Sequence, residues 1–267
     1  MALLHHRFTA GPDHAGPALL LIHPMGAALD FWDACLPAWQ GRLACLAVDL
    51  RSAGASPRDT TPPGLDRHVA DLEALRAALG LRQVVPIGCA VGSMVASAYA
   101  ARHAARVPAL VLSNPTPRTA EASRAMLLAR AAAVRQGGMA AILPGAVDRP
   151  FEAQPRDERY ERYLAAFVGQ DPAAYADAVL GFAGADATGD LPRIRCPALL
   201  VAGAHDLLLP PALAETVRGL MPEGLARVEI DADGAHFLPY QQPARFAARV
   251  LDFLAPILGQ RMAGQEG

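Results

Sequence analysis

The sequence predicts a doubly wound α/β domain, a mostly parallel sheet with a helical segment inserted before its last core strands. Three observations carry this. Short apolar runs alternate with segments of helical periodicity through residues 1–117. Between 118 and 190 only helical patterns occur, and the alternation resumes over 191–267. The runs are apolar throughout rather than alternately apolar and polar, as strands covered by helices on both faces are.

In chain order, PALLLIH (17–23), LACLAVDL (43–50), VVPIG (84–88) and PALVLSN (108–114) read as strands. DRHVADLEALRAALG (66–80) and VGSMVASAYAARHA (91–104) read as helices, the second with small residues where it presses on the sheet. Helices follow at 120–136, 157–168 and 173–184. Then come CPALLVAG (196–203) as strand, PALAETVRGLM (211–221) as helix, ARVEID (226–231) as strand and PARFAARVLDFLAPIL (243–258) as helix. The expected organisation is a core of 1–117 and 191–267 carrying a helical cap at 118–190. The tail QRMAGQEG (260–267) reads as frayed.

A chain of 267 residues suffices for one large α/β domain. Its hydrophobic content is 52%, yet no apolar run approaches the roughly 20 residues of a membrane span. The start, MALLHHRFTAG, lacks the pattern of a secretory signal, so the expected compartment is the cytoplasm. A net charge of −2 argues for neither nucleic acid nor anionic membrane as partner. Cys35, Cys45, Cys89 and Cys196 show no metal-ligand spacing and read as reduced, packed thiols. All 24 basic residues are arginine, which excludes chemistry that needs a lysine amine, such as a Schiff base or a P-loop. Nothing in the sequence points to an oligomeric state.

The segment Gly88-Cys89-Ala90-Val91-Gly92-Ser93 follows the third apolar strand and opens a helix. Glycine, three residues, glycine is the frame of a nucleophile elbow, where a strained central residue sits between closely packed strand and helix. The centre calls for Ser, Cys or Asp and holds Ala90. Centring the frame on Cys89 destroys both glycine positions, and Ser93 lies one helical turn further on. Alone, the segment reads equally well as a plain tight turn.

The rest of the pattern argues otherwise. Asp206 follows the strand at 196–203, and His236 follows the last strand, in the chain order elbow, Asp, His. An Asp beside a His fixes its tautomer and leaves the other ring nitrogen as a base. His23-Pro24-Met25-Gly26, directly after the first core strand, fits an oxyanion loop. The Met25 and Val91 backbone N–H groups are the candidate donors, and neither depends on a serine hydroxyl. His23, Gly26, Trp32 and Cys89 are candidate pocket residues. Asp49-Leu50-Arg51-Ser52-Ala53-Gly54-Ala55-Ser56 reads as a loop wired by its Asp and Arg rather than as a substrate contact.

These segments resemble the α/β-hydrolases, and within them the 3-oxoadipate enol-lactonases and related small esterases. The resemblance runs from the strand at 17–23 to the helix at 243–258. It includes LVLSNPTPR (110–118), AAAVRQGGMAA (131–141), VAGAHDLLLPP (201–211) and GAHFLPYQQPARFAARVLDFL (234–254). It implies an α/β-hydrolase fold and cofactor-free hydrolysis of a small-molecule ester or lactone through a serine acyl-enzyme. It also implies His236 as base, Asp206 as its partner, and Met25 and Val91 as oxyanion donors.

Ala90 departs from that pattern. Removing the nucleophile lowers kcat by about 10⁶ and leaves roughly 10³–10⁴ over water from binding and the oxyanion hole. Three accounts stay open: a Ser→Ala variant of an active hydrolase; a natural alanine with His236 acting directly on water or on a substrate proton, as in a cofactor-free lyase or isomerase; and a small-ligand-binding homologue without chemistry.

Overall fold

Seven strands form one sheet: β1 (His6–Thr9), β2 (Ala18–Ile22), β3 (Ala44–Val48), β4 (Val84–Cys89), β5 (Leu110–Ser113), β6 (Ala198–Gly203) and β7 (Ala226–Asp231). The computed structural model describes residues 2–13, 16–59 and 61–263. The spatial order is β1-β3-β2-β4-β5-β6-β7. Every pair is parallel except β1 with β3, which runs antiparallel from His6 opposite Val48 to Thr9 opposite Cys45. β2 to β6 are buried at every residue, which explains their uninterrupted apolar runs. β1 is the strand that pattern reading does not supply. HRFT is half exposed and mostly polar, and only its pairing with β3 makes it a strand.

Side-chain alternation divides the core into two layers. Leu20, Ile22, Leu46 and Val48 point to the face covered by α2 (Leu65–Ala78), α3 (Val91–Arg102) and α8 (Ala212–Leu220), where Leu72, Leu75, Val95, Tyr99 and Val217 meet them. Leu19, Leu21, Cys45 and Ala47 point to the other face, which receives α1 (Leu36–Trp39) and α10 (Pro243–Ala263) through Trp39, Phe246 and Val250. A short α9 (Leu238–Gln241) precedes α10. Helix α10 continues to Ala263, so residues 260–263 are helical rather than frayed, and 264–267 lie outside the described residues.

Between β5 and β6 lie α4 (Glu121–Gly137), α5 (Gly145–Asp148), α6 (Glu158–Val168) and α7 (Pro172–Phe182). Arg118 and Asp186 form an antiparallel bridge where the chain leaves and rejoins the core. Asp157 caps α6 by accepting from Arg159 N–H; Asp171 caps α7 by accepting from Ala173 and Ala174 N–H, with Pro172 in the first turn. Leu127, Val134, Tyr163, Phe167 and Val179 of these helices belong to the same apolar cluster as Leu19 and Ile87 of the sheet. The insert reaches the chain just beyond the carboxyl end of β2, where Tyr163 and Gln170 donate to the Gly26 carbonyl. No helix among the described residues is long and apolar enough to cross a membrane.

Candidate active site

The elbow follows from two close approaches. A Cβ on Gly88 would lie 2.3 Å from the Gly92 carbonyl oxygen, and one on Gly92 would lie 2.6 Å from that of Ile22 and 2.7 Å from that of His23. Gly88 lets α3 start this close to β4, and Gly92 lets it pass this close to the end of β2. Ala90 between them takes φ 50°, ψ −116°, a left-handed conformation that a Cβ-bearing residue avoids. It is held by Ala90 N–H donating to the Ser113 carbonyl at 2.9 Å and by Ser93 N–H donating to the Ala90 carbonyl at 2.9 Å. Ser93 Oγ also donates to that carbonyl, at 2.5 Å, so its hydroxyl is spent inside the turn. Cys89 is fully buried with its thiol pushed up by burial, which leaves no thiolate to act as a nucleophile.

His236 Nδ1 lies 2.9 Å from Asp206 Oδ2. Asp206 is enclosed by donors. Leu208 and Leu209 N–H reach Oδ1 at 2.8 and 2.9 Å, and Asn114 Nδ2 reaches Oδ2 at 2.8 Å. Burial alone would raise the Asp206 carboxyl; His236 and the two backbone N–H groups outweigh it and hold the pKa below the ordinary value. An ionised Asp206 accepts from Nδ1–H, which leaves His236 Nε2 as the basic nitrogen, with no protein partner among the described residues.

Asn114 is the member of this group that pattern reading passes over. It directly follows β5 at φ 47°, is fully buried, and also donates to the Ala235 carbonyl at 3.2 Å. Its signal was a polar residue directly after a buried strand, ahead of Pro115.

The segment Pro24–Ala27 is a turn closed by Ala27 N–H donating to the Pro24 carbonyl at 3.3 Å, with Gly26 at φ 79° in the position that requires a positive φ. Neither Met25 N–H nor Val91 N–H finds a partner among the described residues. His23 supports the turn from inside: Nδ1 donates to the Pro24 carbonyl at 2.8 Å and Nε2 accepts from Leu50 N–H at 3.0 Å. Burial lowers its pKa, keeping it neutral, so both ring nitrogens serve the scaffold. The loop after β3 is also internally wired. Asp49 accepts from Leu29 and Ala55 N–H at 2.7 and 2.9 Å, and Arg51 forks onto Asp71 at 2.6 and 2.9 Å.

A cavity of about 650 Å³ lies between the loops at 26–34 and 52–54 and helices α6 and α7. Gly26 lines it. Met25, Cys89, Ala90 and His236 do not, and Trp32, an expected pocket residue, is fully buried against Trp39 and Phe246. The Leu29–Trp32 turn presents Phe31 to the cavity and Trp32 to the core. Asp30, Asp33, Arg159, Arg162 and Asp171 place charges in a lining that is otherwise mainly apolar. A wall of rings lies between it and His236. Tyr163 packs on Phe237 at 4.9 Å between centroids, Phe31 stacks on Tyr240 at 5.6 Å, and Phe237 lies 5.0 Å from the His236 ring. Ala90 and His236 are accordingly only 2% and 9% exposed. No group of three or more His, Cys, Asp or Glu among the described residues is placed to hold a metal ion.

Comparison with known proteins identifies the fold. A family model described as the alpha/beta hydrolase fold matches residues 17–243. RutD of Caulobacter sp. (strain K31), a proposed carbamate hydrolase, is 28% identical over 264 residues, covering 94% of this chain and 96% of its own. The enol-lactonase from Burkholderia xenovorans LB400 superimposes with a TM-score of 0.87 at 27% identity, covering 94% of this chain and 96% of its own. A thermophilic esterase from Thermogutta terrifontis shares the fold, with a TM-score of 0.87 at 24% identity over 96% and 94% of the two chains.

Proposed function

The chain belongs to the α/β-hydrolase fold family, and from that premise we propose that it carries a serine-hydrolase-type site for a small ester or lactone from which one oxygen, that of the nucleophile, is missing. In this reading Ala90 occupies the nucleophile position, His236 is the base and Asp206 its partner. The N–H groups of Met25 and Val91 face the developing oxyanion, and residues 118–190 are the cap. The likeness to an enol-lactonase and to a proposed carbamate hydrolase supports a small acyl compound as substrate.

The observation that carries the reading is the backbone of Ala90. Holding an alanine at φ 50°, ψ −116° costs about 1 to 3 kcal/mol and presents nothing but a methyl group. Such strain belongs to a turn shaped to display a nucleophile. The Asp206–His236 pair, with Asp206 held by four donors, supports a base in use and counts against a pure binding module.

Without a hydroxyl no acyl-enzyme forms. The remaining route is direct: His236 Nε2 takes a proton from a water that attacks the carbonyl, charge collects on the oxygen beside Met25 and Val91, and the imidazolium returns the proton to the departing alkoxide. A second reading, proton transfer on the substrate itself in a lyase or isomerase, is favoured by one observation: the rings over His236 keep bulk water out.

The test compares hydrolysis of activated esters and an enol lactone by three forms: the chain as it stands, Ala90→Ser, and Ala90→Ser/His236→Ala. Restoring the hydroxyl is expected to raise kcat by several powers of ten with an acyl-enzyme burst, and removing the base to abolish the gain. No activity in any of the three, with ligand binding intact, would sink the hydrolase reading.

A further inference from the structure

The carbonyl oxygen of Gly26 accepts two hydrogen bonds, both from the helical insert: Tyr163 Oη–H at 3.2 Å and Gln170 Nε2–H at 2.9 Å. The same residue carries a third contact, since a Cβ added to Gly26 would lie 2.9 Å from the Phe167 ring. Tyr163 and Phe167 stand on α6, and Gln170 follows its end. One helix and its exit therefore grip the outer side of the Pro24–Ala27 turn, while His23 holds it from the inner side through Pro24. Tyr163 is also a brick of the aromatic wall. It lines the cavity, packs on Phe237 beside His236, and is buried to the extent that its hydroxyl pKa rises well above the ordinary value.

We infer that Tyr163 and Gln170 are positioning residues for the Met25 oxyanion donor, and that seating of the insert and assembly of the oxyanion hole are a single event. The inference rests on the role given to Met25 above. A ligand moving from the 650 Å³ cavity toward Ala90 displaces Tyr163 and leaves the Gly26 carbonyl held by Gln170 alone, which loosens the turn. When the ring returns behind the ligand, its hydroxyl closes on the Gly26 carbonyl and the turn regains the geometry that aims Met25 N–H. The latch makes the polar part of the site complete only when its apolar wall is shut, which keeps water from a half-formed hole.

Tyr163→Phe removes the hydroxyl and keeps the ring; Gln170→Leu removes the amide and keeps the bulk. In the chain as it stands, hydrogen–deuterium exchange at the Ala27 amide, whose bond to Pro24 closes the turn, is expected to quicken about tenfold in the double variant. In an Ala90→Ser background the same pair is expected to lower kcat about tenfold with KM within about twofold. Unchanged exchange at Ala27 would overturn the inference. So would quickening spread evenly over residues 158–182, because the two side chains would then merely hold the insert down. An inert Ala90→Ser parent refutes the hydrolase reading instead, and the exchange result still decides whether the latch exists.

Discussion

Asn114 donates to Asp206 Oδ2 at 2.8 Å while its second bond, 3.2 Å to the Ala235 carbonyl, holds the residue just before His236. One buried amide thus links Asp206 to the loop that carries His236. Asn114→Ala removes a hydrogen bond to a charged group, and stability is expected to fall by about 2 kcal/mol at neutral pH. The Asp206 carboxyl, depressed in the folded state, contributes stability above its unfolded pKa of about 3.9 that is lost as pH falls through its folded value. Losing one donor raises the folded value, so the acid-unfolding midpoint of Asn114→Ala should move to higher pH. Urea titrations from pH 7 to pH 3 measure both effects; an unshifted acid midpoint would mean that Asn114 does not stabilise the ionised carboxylate.

His68 acts in the same direction, over a higher range of pH. It is fully buried between α2 and α7 and stacked on Phe182 at 5.1 Å. Burial lowers its pKa to about 4 from 6.5, with Asp71 opposing and His23 and Arg51 assisting. Between those values the unfolded chain binds a proton that the folded chain refuses, so stability falls as pH falls. The loss is about 2 to 3 kcal/mol between pH 6.5 and 4.5, at roughly 1.36 kcal/mol per unit. His68→Phe should abolish that slope, read from urea midpoints at the two pH values; a slope equal to the parent's would show that another group titrates.

The elbow glycines give a steric test. Gly92→Ala drives a methyl into the Ile22 and His23 carbonyls, which cannot move without bending β2. The expected loss is about 3 kcal/mol or more. Gly219→Ala is the control. Gly219 lies in the last turn of α8 with no atom within 4 Å of an added Cβ, and alanine there should stabilise by about 0.5 kcal/mol. Melting temperatures of the two variants separate the readings; equal shifts would deny the close packing at the elbow.

The parts of this molecule legible in its sequence are those whose signals are local. β2 to β6 announce themselves because both faces are buried, and the elbow does so through two glycines four residues apart. The Asp206–His236 pairing was legible through chain order. Other contacts depend on distant partners. Asn114 meets Asp206 across 92 positions, and β1 exists only through β3. Trp32 and Phe31 are neighbours of like character, and the turn decides which faces the core. The charged lining of the cavity follows from where α6 docks, which helical periodicity does not encode.

The rings that roof His236 also set a tempo. With the latch inferred above, a site reached when Tyr163 swings aside does not fill at the rate at which molecules collide with it. Association levels off as ligand concentration rises, at the microsecond-to-millisecond pace of ring and helix displacement. Departure waits for the same movement, so even a ligand of modest affinity stays long once enclosed. Tyr163 thereby governs how long a captured molecule spends beside the base, independently of how strongly it is held.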